Sequence, residues 1–410
     1  MKAVPLLLFL AVTACAAEAA STRLFETSLQ SRVGYDSNPL GTSGTSAALL
    51  GDDDTLTFAA GAGLGLTLAP ATPETPTLKL TYAGEVVRFD RASEENFSTH
   101  RLGVNGQLTT GVWKFTGEGS TLLIAGSRET LSSVASINAN AIPLWRDRRR
   151  QWQHRFKLQS QATLGACVLR ATGTWLAYDY RTRVTAGKFA FADRSDTQAA
   201  LDLGWKQKAN SLWLSGIRVG RQNEEVVPLP NCEFDYSSNY YRLAAGWEGK
   251  PCANTTVTFT AGPDFRHYSG AIDSRVFLDG RNRTSLWLEG GFVSKLSPTL
   301  TLTGKAVQFD WLSSTGKSAY VESSVETAAA WNVTSAWTVR LSAKVHRCDY
   351  FPTKRDDWES LLGLGASWQL SPHSLLTMDL LGQRAWNQLA AFSEREFQRL
   401  TINLGATIKL

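Results

Sequence analysis

Long apolar runs are what this sequence most clearly lacks. After the first fifteen residues no stretch of twenty apolar residues occurs, which excludes helical membrane spans. Amphipathic helical periodicity is also hard to find, so a helix bundle is excluded. Cysteine is sparse: beyond the first nineteen residues only Cys167, Cys232, Cys252 and Cys348 occur, far apart and in no CxxC or Cys/His cluster. That pattern offers neither a disulfide framework nor a metal site, and isolated thiols are expected. Five histidines lie on separate segments, and no nucleophile, base and orienter come together, so no catalytic residue, cofactor or metal is expected. The acidic run Asp52-Asp53-Asp54 lacks EF-hand spacing and reads as a solvated loop. A net charge of +5 over 410 residues is too weak to argue for nucleic acid.

The first residues read as a targeting leader. Lys2 supplies a positive start, Val4 to Ala14 an apolar stretch, and Ala17-Glu18-Ala19 a small-x-small cleavage site. On this reading 1–19 is a signal peptide and 20–410 a single domain. The alternative uses Val12-Thr13-Ala14-Cys15 as a lipoprotein box with Cys15 lipidated. Both readings export the chain from the cytoplasm.

What the sequence does have is period-two alternation. From Leu400, the residues Leu400, Ile402, Leu404, Ala406, Ile408 and Leu410 share one face, while Arg399, Thr401, Asn403, Gly405, Thr407 and Lys409 share the other. The same pattern runs through Leu56 to Leu68 and Trp337 to Val345. One face suits lipid and the other water, so a mean hydropathy of -0.17 conceals a membrane-facing surface. Segments of this kind predict strands near 22–35, 55–68, 77–89, 100–108, 111–126, 151–164, 168–180, 196–207 and 211–221. They continue near 238–247, 254–265, 283–296, 299–309, 319–331, 336–347, 357–370, 374–385 and 397–410. The fold class is therefore all-β: a transmembrane antiparallel barrel of about eighteen strands, with sixteen as the alternative.

Connections alternate between short and long, with 69–76 and 248–253 intermediate but falling where a short turn is due. Short periplasmic turns and long extracellular loops are the rule in outer-membrane barrels. Trp113, Trp205, Trp213, Trp247, Trp331, Trp337 and Trp368 fall near short turns, as an aromatic girdle would. Trp152, Trp311, Trp358 and Trp386 fall near long loops, as a second girdle would. A β-propeller is the architectural rival, but no blade signature recurs.

Two stretches resemble known proteins. Asn403, Gly405, Ile408 and Leu410 resemble the terminal signal read by the barrel assembly machinery, although a terminal Phe is commoner there. Val33-Gly34-Tyr35-Asp36-Ser37-Asn38-Pro39 resembles the first-strand exit of proteins of the beta-barrel porin 2 type. That resemblance implies an outer-membrane, porin-like barrel of a Gram-negative bacterium, and a link to exopolysaccharide export. Local turn chemistry also accounts for these residues, because strand one must stop there.

Inward parity on the predicted strands yields more bases than acids, roughly three to two. Arg155, Lys157, Arg340 and Lys344 are among the bases, opposed by acids such as Glu322 and Glu326. Arg148, Arg149 and Arg150 add positive charge in the longest loop, 127–150, which is the expected plug or constriction. A self-neutralising charged wall is one reading and an anion-leaning pore the other. The expected function is an outer-membrane pore for polysaccharide or other polar solutes, with a structural or adhesive barrel as the alternative and an enzyme less favoured. Expected partners are lipid, lipopolysaccharide, the assembly machinery and, on the resemblance, polysaccharide export proteins.

Overall fold

Alternating chains of this length bury one face only if the sheet closes on itself, since an open sheet leaves unpaired backbone at its edges. The computed structural model shows that closure. It describes residues 22–39, 54–69, 76–91, 93, 96–126, 150–180, 193–225, 227–229, 232–268, 282–312, 319–351, 355–388 and 396–410. The leader, most of the acidic run 52–54, and the loop 127–149 with Arg148 and Arg149 lie outside the described residues.

The strands are β1 (Thr22–Asp36), β2 (Thr55–Ala69), β3 (Thr77–Phe89), β4 (Phe97–Thr110), β5 (Trp113–Ala125), β6 (Gln151–Leu164), β7 (Cys167–Asp179), β8 (Arg194–Lys208) and β9 (Ser211–Glu224). A short hairpin, β10 (Val227–Leu229) and β11 (Cys232–Phe234), follows. The wall resumes with β12 (Ser238–Cys252), β13 (Thr255–Tyr268), β14 (Asn282–Lys295), β15 (Leu300–Leu312), β16 (Ala319–Asn332), β17 (Trp337–Phe351), β18 (Asp356–Ser371), β19 (Ser374–Asn387) and β20 (Phe397–Lys409). Eighteen of these strands form one antiparallel sheet in chain order, and β20 pairs back onto β1. Barrels of sixteen to eighteen strands enclose a lumen wide enough for water.

The predicted strands are all present. Several strand ends run three or four residues further than predicted, and the largest difference is at β12, which runs on to Cys252 through a bulge between Gly249 and Cys252, so 248–253 is mostly strand. Several turns on the short side are only two residues long. At two of them Gly111 (φ 56°) and Gly165 (φ 65°) take a left-handed conformation that other residues adopt at a cost.

Residues such as Leu102, Leu203, Leu341 and Leu362 stand exposed on the outer surface, as do Leu404 and Ile408 of the terminal strand. This apolar belt, with no covering layer, belongs in lipid. The short-turn rim carries the predicted girdle: Trp337 and Trp368 stack at 5.2 Å, and Trp205, Trp213 and Trp331 are exposed. Such stacks contribute about 1 kcal/mol beyond simple burial. At the other rim Trp358 stacks on Trp386 at 5.9 Å, and Trp152, His154 and Trp175 form a ladder. His154 is thus part of an aromatic girdle. Trp311 is not: it is buried on the lumen side. The chain is a closed eighteen-stranded antiparallel barrel with an apolar outer belt between two aromatic rims.

Closure is reinforced at the extracellular end of β1. Arg399 on β20 donates to both carboxylate oxygens of Asp36, with Nε at 2.9 Å from Oδ1. Asn38 donates through Nδ2 to the Gln398 carbonyl at 3.1 Å, and Ser37 and Leu400 exchange bonds at 3.0 and 2.8 Å. Gly34 allows the close approach, because a Cβ there would collide with the Asn403 side chain and lie 2.8 Å from the Ile402 carbonyl. The Val33–Pro39 stretch therefore does structural work at the seam, beyond ending a strand.

Candidate pore lining

In a strand every second side chain points inward, so a residue and its cross-strand partners form a rung on the inner wall. On β7 to β14 these rungs are rich in arginine and in the carboxylates that pair with it. Arg170 makes a two-pronged bond to Glu248 at 2.7 and 2.9 Å, reaching from β7 to β12. Above it, Arg218 meets Asp202 at 3.0 Å, and Arg242 meets Asp264 at 2.8 Å. Arg266 then binds Asp264 at 3.0 Å and the Gln222 side chain at 2.8 Å. Aromatic faces cover the same guanidinium groups: Arg218 lies 4.8 Å from the Trp287 ring, and Arg242 and Arg266 lie 4.3 and 4.6 Å from the Tyr240 ring. Asp202, Arg218, Arg242, Asp264 and Arg266 are almost wholly buried, so each of these charges depends on its partners.

Inner-wall residues are not normally this buried in a wide barrel. The cause lies in β15. It pairs with β14 only from Lys295↔Thr301 to Leu288↔Gln308, which leaves Asn282–Trp287 of β14 without a ladder partner on that side. The remaining end of β15, Phe309 to Leu312, lies inside the barrel while still paired to β16. Asp310 has outward parity, yet its carboxylate sits 3.5 Å from both Arg266 and Arg283 on the inner wall. Its carbonyl accepts from Gln222 at 3.0 Å, and that of Leu312 accepts from Arg194. Leu312 is packed with Tyr236, Tyr268 and Ala319. Trp311 faces Tyr178 across the lumen at 6.4 Å.

Beneath this inward fold lies a cavity of about 910 Å³ between two walls. One wall presents Arg101, Glu118, Arg155 and Lys157 from β4 to β6. The other presents Glu289, Lys305, Glu322, Glu326 and Lys344 from β14 to β17. With Asp196, five bases and five acids line it. They pair locally: Lys305, Glu326 and Lys344 share one rung, Lys157 lies 4.0 Å from Glu118, and Arg155 donates to the Tyr178 hydroxyl at 3.3 Å. Higher on β17, His346 sits between Glu322 (3.3 Å) and Glu359 (3.6 Å) and next to the buried Cys348. No group of three or more His, Cys, Asp or Glu suited to a metal ion occurs among the described residues.

Of the predicted lining residues, Arg155, Lys157 and Lys344 meet at this cavity. Arg340 has the same inward parity but lies toward the short-turn end of β17, on a rung with Ala330 and Gly365. Arg150 is half-buried immediately before β6. Asp54 forms an ion pair with Arg91 at 3.3 Å. Sequence reading missed Arg194, Arg218, Arg266 and Arg283, and the acids Asp196, Asp264 and Asp310. Their signal was present for all but Asp310: Asp196, Arg218, Asp264 and Arg283 lie within the predicted strands at inward parity, and Arg194 and Arg266 fall one or two residues beyond predicted strand ends.

No family model and no curated protein matches the chain. Among solved structures it is similar to the Pseudomonas aeruginosa protein OpdK, determined with vanillate, at 13% identity, covering 94% of this chain and 99% of that one, with a TM-score of 0.45. It is also similar to a BenF-like porin from Pseudomonas fluorescens (10% identity, 94% and 99% coverage, TM-score 0.43). A third is OccAB3 of Acinetobacter baumannii (10% identity, 94% and 99% coverage, TM-score 0.41). At such identities the likeness concerns the barrel fold alone.

Proposed function

We propose that this chain is an outer-membrane channel for small polar solutes, with a weak preference for anions. The observation that carries the reading is the 910 Å³ cavity held between two charged walls inside an eighteen-stranded barrel. Its charges face water and are mostly paired at the surface of the wall, which suits solutes that exchange hydration for transient polar contacts. The anion preference rests on Arg101, Arg155 and Lys157 grouped on one wall, with Arg148 to Arg150 in the loop preceding it. Locally paired charges make that preference small, and salt weakens it further.

An exit pore for exopolysaccharide is supported only by the Val33–Pro39 resemblance, and those residues have a sufficient role at the seam. The inward fold of β15 also suits small solutes better than a polymer. Lipopolysaccharide phosphates at the outer rim, and the assembly machinery at Asn403, Gly405, Ile408 and Leu410, are the partners that this reading includes.

The reversal potential in planar bilayers under a salt gradient tests it. Wild type is expected to favour anions modestly, most at low salt, and Arg155→Glu with Lys157→Glu is expected to shift the potential toward cations. Cation preference in wild type overturns the anion reading. A folded barrel that never conducts supports a structural or adhesive role instead.

A further inference from the structure

We propose that the extracellular ends of β15, β16 and β17 form a gate across the lumen, latched by Asp310, which opens when these ends return to the wall and pair with β14. The proposal rests on the pore reading above and adds how that pore is closed.

The first support is the register. Extending the β14–β15 pairing past Leu288↔Gln308 would set Asp310 opposite Leu286 and Trp311 opposite Ser285, yet the ladder stops. Unpaired strand backbone is costly at membrane depth. The depth can be read from the neighbouring strands: Thr284 is level with Phe265 and Tyr241, an outward-facing aromatic pair stacked at 4.8 Å. Ser285, Leu286 and Trp287 therefore lie below the outer girdle, within the apolar belt. A seam left open there has a ready partner, namely the strand end that departed from it.

The second support is the parity of Asp310. Phe309 and Trp311 point inward in either position, so their faces tolerate both. Asp310 does not. In a wall-paired strand its carboxylate would face lipid beside Leu286, which is disfavoured at that depth. Folded inside, it sits 3.5 Å from Arg266 and from Arg283. One side chain thus opposes ladder formation and rewards the inward position.

The third support is that three strand ends are paired to one another to their tips and meet the far wall. Leu312↔Ala319 and Tyr320↔Tyr350 keep β15, β16 and β17 zipped to their tips. Phe351 at the end of β17 packs on Tyr268 at 6.0 Å and under Arg283 at 3.7 Å. Arg194 from β8 stacks over Tyr178 and Trp311 at 4.7 and 5.3 Å. The contacts holding the gate are therefore side-chain bonds and ring contacts, which can be exchanged without unfolding a wall strand.

Single-channel recording on folded, heat-modifiable barrels tests this. Asp310→Leu removes the latch and suits the outer belt, so open probability is expected to rise about tenfold or more. Two cysteine pairs, in a background with the native cysteines replaced by alanine, lock the two states. Tyr268→Cys with Leu312→Cys should hold the gate shut when oxidised and release it on reduction. Leu286→Cys with Asp310→Cys should cross-link only in the wall-paired state and hold conductance high. Conductance that ignores both locks and the Asp310→Leu substitution overturns the gate. Absence of conductance in every folded variant, including the one locked open, removes the pore reading itself and the gate with it.

Discussion

The β1–β20 and β14–β15 seams are the shortest in the barrel, with nine and eight paired positions, and they finish at the extracellular rim in opposite ways. At β1–β20 the polar residues at and beyond the last rung bind across the seam: Asp36 with Arg399, Asn38 with Gln398, Ser37 with Leu400. At β14–β15 the acid just beyond the ladder, Asp310, has its arginines on the inner wall, and the strand end follows it inward. The ladder is the same structure in both places. What differs is the parity of the acid at its end: Asp36, opposite Thr401, already shares the inner face with Arg399, whereas Asp310 has outward parity and reaches its arginines only by folding inward. A strand end is thus positioned by side chains once backbone pairing no longer dominates.

Three changes would break or sharpen this contrast. The largest effect is expected from Ile408→Asp combined with Leu410→Asp. Both residues are exposed at the end of the closing seam, where carboxylates would meet lipid and spoil the terminal recognition pattern. Heat-modifiable barrel in the outer membrane should be lost. Wild-type levels of the double variant would detach closure from this terminal segment.

A second, smaller effect is expected from Arg266→Leu, at the other seam. Arg266 is fully buried between Asp264 and Asp310, so its loss leaves two buried carboxylates short of a partner. A destabilisation of about 3 kcal/mol or more should appear as a lower denaturant midpoint. Open probability should rise at the same time, because the latch loses one of its two arginines. An unchanged midpoint would mean that water already solvates this cluster.

The smallest is expected from Asp36→Ala. It leaves the Arg399 guanidinium, which is partly exposed, without its carboxylate, at a cost of about 1–2 kcal/mol. The temperature at which the barrel unfolds in SDS should fall by a few degrees, with conductance unaltered. A change in conductance without loss of heat resistance would show that the clasp acts on the lumen and not on closure.

Much of the architecture was legible in the alternation. Leu400 to Leu410, and the chain of strands before it, state which side meets lipid, because a period of two leaves a side chain no third direction. The turns and the tryptophans near them gave the strand count and one rim of the membrane. Charge balance was less legible: cross-strand pairs such as Lys157 with Glu118, or the Lys305, Glu326 and Lys344 rung, depend on register, and an inward count treats paired and free charges alike. The inward fold was not legible at all. From the sequence Trp311 reads as a girdle residue near a long loop, and Asp310 falls just past the predicted strand 299–309. Only the tertiary structure sets Arg266 and Arg283, 44 and 27 residues before Asp310 in sequence and on the inner wall, within reach of that carboxylate. The sequence by itself determined the barrel, its two faces and its closing strand, since these follow from local periodicity. The state of the lumen was decided by which buried charges find each other across the barrel, and no local pattern encodes that.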